Sequence, residues 1–306
     1  VRPDRVLDWT ERETTATAQD DQPYLIDPFL NHQVSWDSEF YLSIAIAGYD
    51  DPLVRAIWLD PEAEPAPIWN LAPLPYGTPG DYHNGRPPGI PEEHVAYSLN
   101  YAFFPFYPIL IKAFSFPLQV FGLNPIATAT LAGVIVSLLG ALGAMLALYD
   151  LTRDELEEGG AIRAAFYLLV FPTGFFLAMV HTEGLFAGLV FGSLAMLKRK
   201  RWLGAGLLAG LATVTRAVGG ALAIPLGLAW LGEAMQYAKA LSKKRRAEGQ
   251  PAPGFPLHLL WKGLLVLCPL IAYAVWNLLL GEQFRAVEVA FFGLSLIHIS
   301  EPTRPY

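Results

Sequence analysis

"AAFYLLVFPTGFFLAMVHTEGLFAGLVFGSLAML", residues Ala164 to Leu197, decides how this chain folds. A helix crossing the hydrocarbon of a bilayer needs about 20 apolar residues. This run is too long for one crossing, and it is interrupted at His181-Thr182-Glu183-Gly184. A helical hairpin with the polar residues at its turn resolves the excess. The next apolar run, Trp202 to Leu231, poses the same problem and carries Thr215-Arg216 in its middle. An Arg at the centre of a span costs about 2.5–3.5 kcal/mol on insertion scales. The chain is therefore expected to turn there too, with Gly219-Gly220 loosening the backbone.

Composition points the same way. The chain is 53% hydrophobic and 16% charged, where a soluble domain carries about 25% charged residues. Its net charge of −7 lacks the basic footprint that nucleic-acid binding needs. A single cysteine, Cys268, excludes an internal disulfide and a cysteine-rich metal site. The predicted fold is all-α, a polytopic transmembrane helix bundle with apolar segments at 126–149, 163–180, 184–197, 202–215, 217–232 and 257–280.

The remainder falls into three pieces. Residues 1–100 are polar, aromatic and proline-rich, with no signal-peptide pattern. The stretch Pro61 to Pro91 is too rich in proline for a helix or a central strand. Phe103 to Gly122 is apolar but holds Pro105, Pro108, Pro117 and Lys112, so 101–123 reads as broken juxtamembrane helices in the outer interface. Residues 124–293 form the bundle. The tail "LSLIHISEPTR", Leu294 to Arg304, resembles a translated sequencing adapter, which sets 294–306 outside the fold. A long outer loop needs an exporting span ahead of Val1. The chain therefore reads as a fragment lacking its first and its C-terminal spans.

Loop charge fixes the sides. "KRKR", Lys198 to Arg201, and "KALSKKRR", Lys239 to Arg246, are the densest basic loops and should be cytoplasmic. Counting spans puts Asp150 to Arg163 inside, and residues 1–123, "HTEG" and Arg216 outside. Asp37, His181, Thr182, Glu183 and Arg216 thus gather on one face. The spans flanking "HTEG" and Arg216 hold about 14–16 residues, or about 21–24 Å, against a core of about 30 Å. Those turns are expected to lie in a recess, where polar residues mark function.

Four motifs then stand in order: "WDSEFYLSIAIAGY" (Trp36 to Tyr49), "FFPFYP" (Phe103 to Pro108), "FPTGFFLAMVHTEGLF" (Phe171 to Phe186) and "WLGAGLLAGLATVTRAVG" (Trp202 to Gly219). Together they resemble the GPI mannosyltransferase 2 family and its bacterial relatives, which are GT-C glycosyltransferases, from about residue 30 to 232. "HTEG" stands where that family more often has Tyr-(Thr/Ser)-Glu-Ser, and "TRAVG" where it has Thr-Arg-Pro-x-Gly. The resemblance implies transfer of mannose, or a similar hexose, from a polyprenyl-phosphate donor to a hydroxyl of a lipid- or glycan-linked acceptor. It also implies an extracytoplasmic active site in a multi-pass membrane protein bathed in lipid. The alternative is a multi-pass transporter or lipid-linked-sugar flippase. That reading leaves the Trp-Asp loop unexplained, and the spans show no inverted repeat.

Such chemistry assigns roles. A sugar hydroxyl needs a base to take its proton as it attacks the anomeric carbon. Asp37 is the candidate base. Trp36 and Tyr41 are candidates for stacking on a sugar ring, and with Phe40 they desolvate the carboxylate. Asp37 also suits the N-cap of a helix over 38–47. His181 and Glu183 could orient the acceptor or bind a metal, or simply form a polar hairpin turn. No third ligand is spaced near them, so no metal site is assigned and the part of a divalent ion stays open. Arg216 is the better candidate for the donor phosphate, which guanidinium pairs bidentately. Lys112 is the second, with interfacial snorkelling as its simpler explanation. Asp81, His83 and His94 read as solvated.

Overall fold

The computed structural model describes residues 30–51, 54, 56–59, 92, 95–248, 256–279, 283 and 287. Asp81, His83, His94 and the tail from Leu294 lie outside the described residues. Helices dominate what is described. Two are long and apolar enough to cross a membrane, Pro125–Val170 and Ala217–Lys243. The pair Leu257–Val266 and Cys268–Leu279, bent by 49°, makes a third if it is one span. The chain divides into two compact units. The first takes Val1–Ser137, Ala178–His181 and Asn277–Tyr306, and the second Leu138–Leu177 and Thr182–Trp276.

In the first unit, α1 (Ser38–Ile46) is buried from Ser38 through Ala45. Its apolar residues Phe40, Tyr41, Leu42, Ile44 and Ala45 point to several sides, which draws the whole helix inside, and the hydroxyls of Ser38 and Ser43 are hydrogen-bonded there. It ends at Gly48, whose φ of +98° is the left-handed conformation that closes helices. Phe40 stacks on Phe103 at 4.6 Å, and Tyr41 meets Phe103 and Tyr107 edge-on at 5.2 Å each. Tyr41, a candidate for sugar stacking, is thereby placed in the aromatic core. A polar knot fixes the far end of α1. Ser43 Oγ donates to Asp51 at 2.7 Å, and Asn100 Nδ2 donates to Ser43 Oγ at 2.8 Å and to the Gly48 carbonyl at 3.2 Å.

A short ribbon departs from the all-α expectation. Strands β1 (Ala56–Leu59) and β2 (Val95–Ser98) pair antiparallel, from Ala56 opposite Ser98 to Leu59 opposite Val95. Both are rich in the apolar, aromatic and β-branched residues that favour strands, and they bracket the proline-rich stretch. Beyond them, α2 (Phe106–Leu118) follows Pro105. Helix α3 (Pro125–Val170) then starts with Asn124 accepting from the Ala127 amide at 2.7 Å. Asn at the cap and Pro in the first turn make a strong helix start.

In the second unit, the expected loop at 150–163 is instead helix. Helix α3 continues through it with one break, at Glu157 (φ 57°, ψ 175°). The stretch holds three Glu, two Leu and two Arg, strong helix formers that need no lipid around them. Helices α4 (Glu183–Lys198) and α5 (Trp202–Thr213) have 16 and 12 residues, short of a crossing as their sequences imply. They form a hairpin, with Ser193 Oγ donating to the Ala205 carbonyl at 2.8 Å. Gly140 of α3 lies so close to α4 that a Cβ there would fall 2.4 Å from the Leu185 Cα. Only glycine permits that approach. Helices α6 (Ala223–Glu248) and α7 (Leu257–Val266) are joined by Trp230 Nε1 donating to the Leu259 carbonyl at 2.8 Å; α8 (Cys268–Leu279) follows.

The basic turn of this hairpin is tied by ion pairs. Arg199 pairs with Asp150, and Lys198 with Asp154 at 3.1 Å. Glu233 receives Lys262 at 2.5 Å and Lys200 at 3.5 Å. Acidic residues of α3 and α6 and basic residues at the end of α4 and on α7 are thus paired within the unit.

Candidate active site

The candidate residues fall in two groups, one in each unit. In the first unit, Asp37 holds the position ahead of α1 with helical backbone angles, φ −65° and ψ −11°, and makes no side-chain capping bond. The capping role open to it in the sequence is therefore not the one its carboxylate plays. The residue before it, Trp36, has φ +46°. A bulky L-residue in the left-handed region costs about 1–2 kcal/mol, and such strain persists only where the surroundings impose it.

Those surroundings can be named. Ser38 Oγ accepts from the Ser35 amide at 3.1 Å and donates to the Val180 carbonyl at 3.0 Å. The Val180 amide donates to the Gln33 carbonyl at 2.8 Å. Residues 33–38 therefore grip the backbone of Val180 from both its donor and its acceptor side. One residue on, the His181 carbonyl accepts from Ser137 Oγ at 3.0 Å, and Ser137 is hydrogen-bonded to Tyr107 Oη at 2.8 Å. His181 is 4% exposed, and its ring lies 6.3 Å from that of Trp36, tilted by 50°. Trp36, with Asp37 next to it in the chain, is thus brought to His181 across a sequence gap of more than a hundred residues. Ser38, Ser137 and Tyr107 set that arrangement. Nothing in the sequence marks Ser137, since a serine inside an apolar helix is ordinary.

In the second unit, Thr182 precedes α4 and is 1% exposed, yet its hydroxyl does not cap the helix. It accepts instead from Arg216 Nη1 at 3.2 Å. The same nitrogen donates to Glu183 Oε1 at 2.6 Å, and the guanidinium stands 6.0 Å from the centre of the Phe186 ring. Arg216 follows the end of α5, where Gly219 packs against the Ala212–Thr213 backbone. The chain turns at Arg216, as the cost of a mid-span charge dictates. The helix N-terminus carries partial positive charge, and with Arg216 beside it this end of α4 holds the Glu183 carboxylate. Lys112 joins neither group; it is exposed on α2. Among the described residues no three His, Cys, Asp or Glu side chains cluster as metal ligands.

Against known proteins, 135 residues of the chain are 35% identical to GPI alpha-1,6-mannosyltransferase 2 of Mus musculus. The chain resembles a mannosyltransferase. The match covers 42% of this chain and 27% of the mouse protein, so the chain spans about a quarter of that relative's length. No protein-family model matches, and no solved structure matches.

Proposed function

We propose that this chain is part of a membrane-embedded, GT-C-type glycosyltransferase that moves mannose, or a similar hexose, from a polyprenyl-phosphate donor to a hydroxyl of a lipid- or glycan-linked acceptor on the non-cytoplasmic face. The observation that carries the reading is the Trp36-Asp37 turn. Its backbone is strained, its carboxylate is not used as a helix cap, and it is clamped onto Val180 beside His181. Strain of this kind has a use where a side chain must be aimed.

In the proposed reaction the acceptor oxygen attacks the anomeric carbon as its proton passes to Asp37. The bond from that carbon to the donor phosphate oxygen breaks, and the electron pair leaves with the polyprenyl phosphate. Arg216 is the proposed partner of the donor phosphate, because fixed donors aimed at developing charge are strong contributors to catalysis. Trp36 and His181 would bound the sugar, and Glu183 would hold the guanidinium in place.

The test is the Asp37→Asn variant in membranes supplied with labelled donor. Transfer to acceptor and release of free polyprenyl phosphate should both stop, while the protein stays inserted. Turnover retained by this variant would reject Asp37 as the base. Movement of labelled donor across the bilayer without release of polyprenyl phosphate would favour a flippase.

A further inference from the structure

We infer that α2, with the turn that follows it, is a lipid-facing wall of the first unit, seated against the acyl chains of the bilayer at the depth of the first turns of α3. Three observations fix its position. Near its start, Tyr107 is 0% exposed and donates from Oη to the Gly133 carbonyl at 3.0 Å. One turn on, Ile111, also 0% exposed, lies 3.4 Å from where a Cβ on Gly133 would stand. At its other end the chain leaves through Gln119–Phe121, reverses at Gly122 (φ +65°) and enters α3 at Pro125. Helix α2 therefore runs antiparallel along the opening turns of α3. Gly133 lies eight residues beyond Pro125, which is about 12 Å along a helix.

The opposite face of the same helix is apolar and uncovered in the unit. Ile109 is 57% exposed and Phe116 77%, and in the turn that follows Val120 is 82% and Phe121 65% exposed. Residues spaced by four and seven share one side of a helix, so Ile109 and Phe116 form a stripe that Val120 continues into the turn. Helix α3, which α2 lies against, is long and apolar enough to cross a membrane. A helix hydrogen-bonded alongside those turns sits at their depth and in their solvent. The occupant of the stripe is accordingly acyl chain. Lys112 interrupts the stripe without contradicting it, since its flexible stem carries the ammonium outward to the headgroups.

Site-directed spin labelling of the whole chain in membranes tests this. In a Cys268→Ala background, labels are placed by Ile109→Cys, Phe116→Cys and Val120→Cys, with Ile111→Cys as the buried control. Collisions with oxygen should exceed those with a water-soluble nickel chelate at all three stripe positions. The excess should grow from Val120 inward to Ile109, while Ile111→Cys should resist both reagents. Dominant nickel collisions would place the stripe in water. Protection from both reagents would place it under protein, and an excess of equal size at all three positions would lay the helix flat in the interface. Each of those results overturns the inference.

Discussion

Arg216 donates from one nitrogen, Nη1, to both Glu183 at 2.6 Å and Thr182 at 3.2 Å. The Arg216 and Glu183 side chains are 44% and 36% exposed, and exposed ion pairs contribute only about 0.2–1 kcal/mol. A role in stability would therefore leave little trace on removal, while a role at a phosphate would leave a large one. Arg216→Ala should lower the melting temperature little yet reduce kcat/KM about a hundredfold or more, the usual loss when a fixed donor to developing charge is removed. Thermal unfolding in detergent and donor turnover measured on the same preparation check this. A variant that melts early and turns over normally would make the pair a plain helix-end contact.

Trp36 offers a test of backbone strain separate from its ring. Its φ of +46° is expensive for any residue with a Cβ and cheap for glycine. Trp36→Ala and Trp36→Gly lose the same side chain, including its contact with His181 at 6.3 Å. They differ in the backbone. The glycine variant should be more stable than the alanine variant by about 1 kcal/mol, reversing the order expected in ordinary extended or helical backbone. Denaturation of the two variants side by side measures the difference. Alanine proving equal or better would show that this turn is unstrained.

Tyr49 gives a pH dependence. Its hydroxyl donates to the Phe103 carbonyl at 3.0 Å. Burial, and then the neighbouring Tyr101, push its phenol well above the ordinary range. The folded state thus holds this proton more tightly than the unfolded chain, whose tyrosines titrate near pH 10. The protonated phenol contributes its full stability below about pH 10 and loses it above, at up to about 1.4 kcal/mol per pH unit. Tyr49→Phe should cost about 0.5–1.5 kcal/mol at neutral pH through the lost hydrogen bond and should flatten the alkaline fall. Melting temperatures of both proteins from pH 8 to 11 check the sign; parallel alkaline limbs would count against it.

What the sequence made legible, and what it did not, follows from the physics of each signal. The apolar run from 126 made α3 plain, and Asn124 caps that helix. The ends of α4 and α5 were plain because charges cannot rest in mid-span: Glu183 opens α4, and Lys198 closes it. The helix running through 150–163 was obscured because charged residues suggest a loop at a membrane edge, although Glu, Leu and Arg extend a helix in water as readily. The candidate groups were legible in residue type alone. That Asp37 leaves α1 uncapped, that Trp36 is left-handed and that Ser137 reaches the His181 carbonyl depend on contacts far apart in sequence. No local pattern encodes them.

The β1–β2 ribbon makes the proline-rich stretch separable from the fold. Leu59 and Val95 face each other as the last pair, so the chain leaves and returns between adjacent strands. A hairpin closed by two residues such as Asn-Gly matches the twist of such a pair. Shortening a loop also lowers the entropy cost of closing it, with each halving worth about 0.6 kcal/mol. Replacing residues 60–94 by Asn-Gly should therefore leave the first unit folded and at least as stable. Tyr101 would still donate to Asp50, and Asn100 to Ser43, since both bonds lie beyond the ribbon. Resistance of the shortened chain to protease in membranes, with its melting temperature, checks the outcome. Loss of folding would mean that residues 60–94 make contacts on which α1 and its strained turn depend.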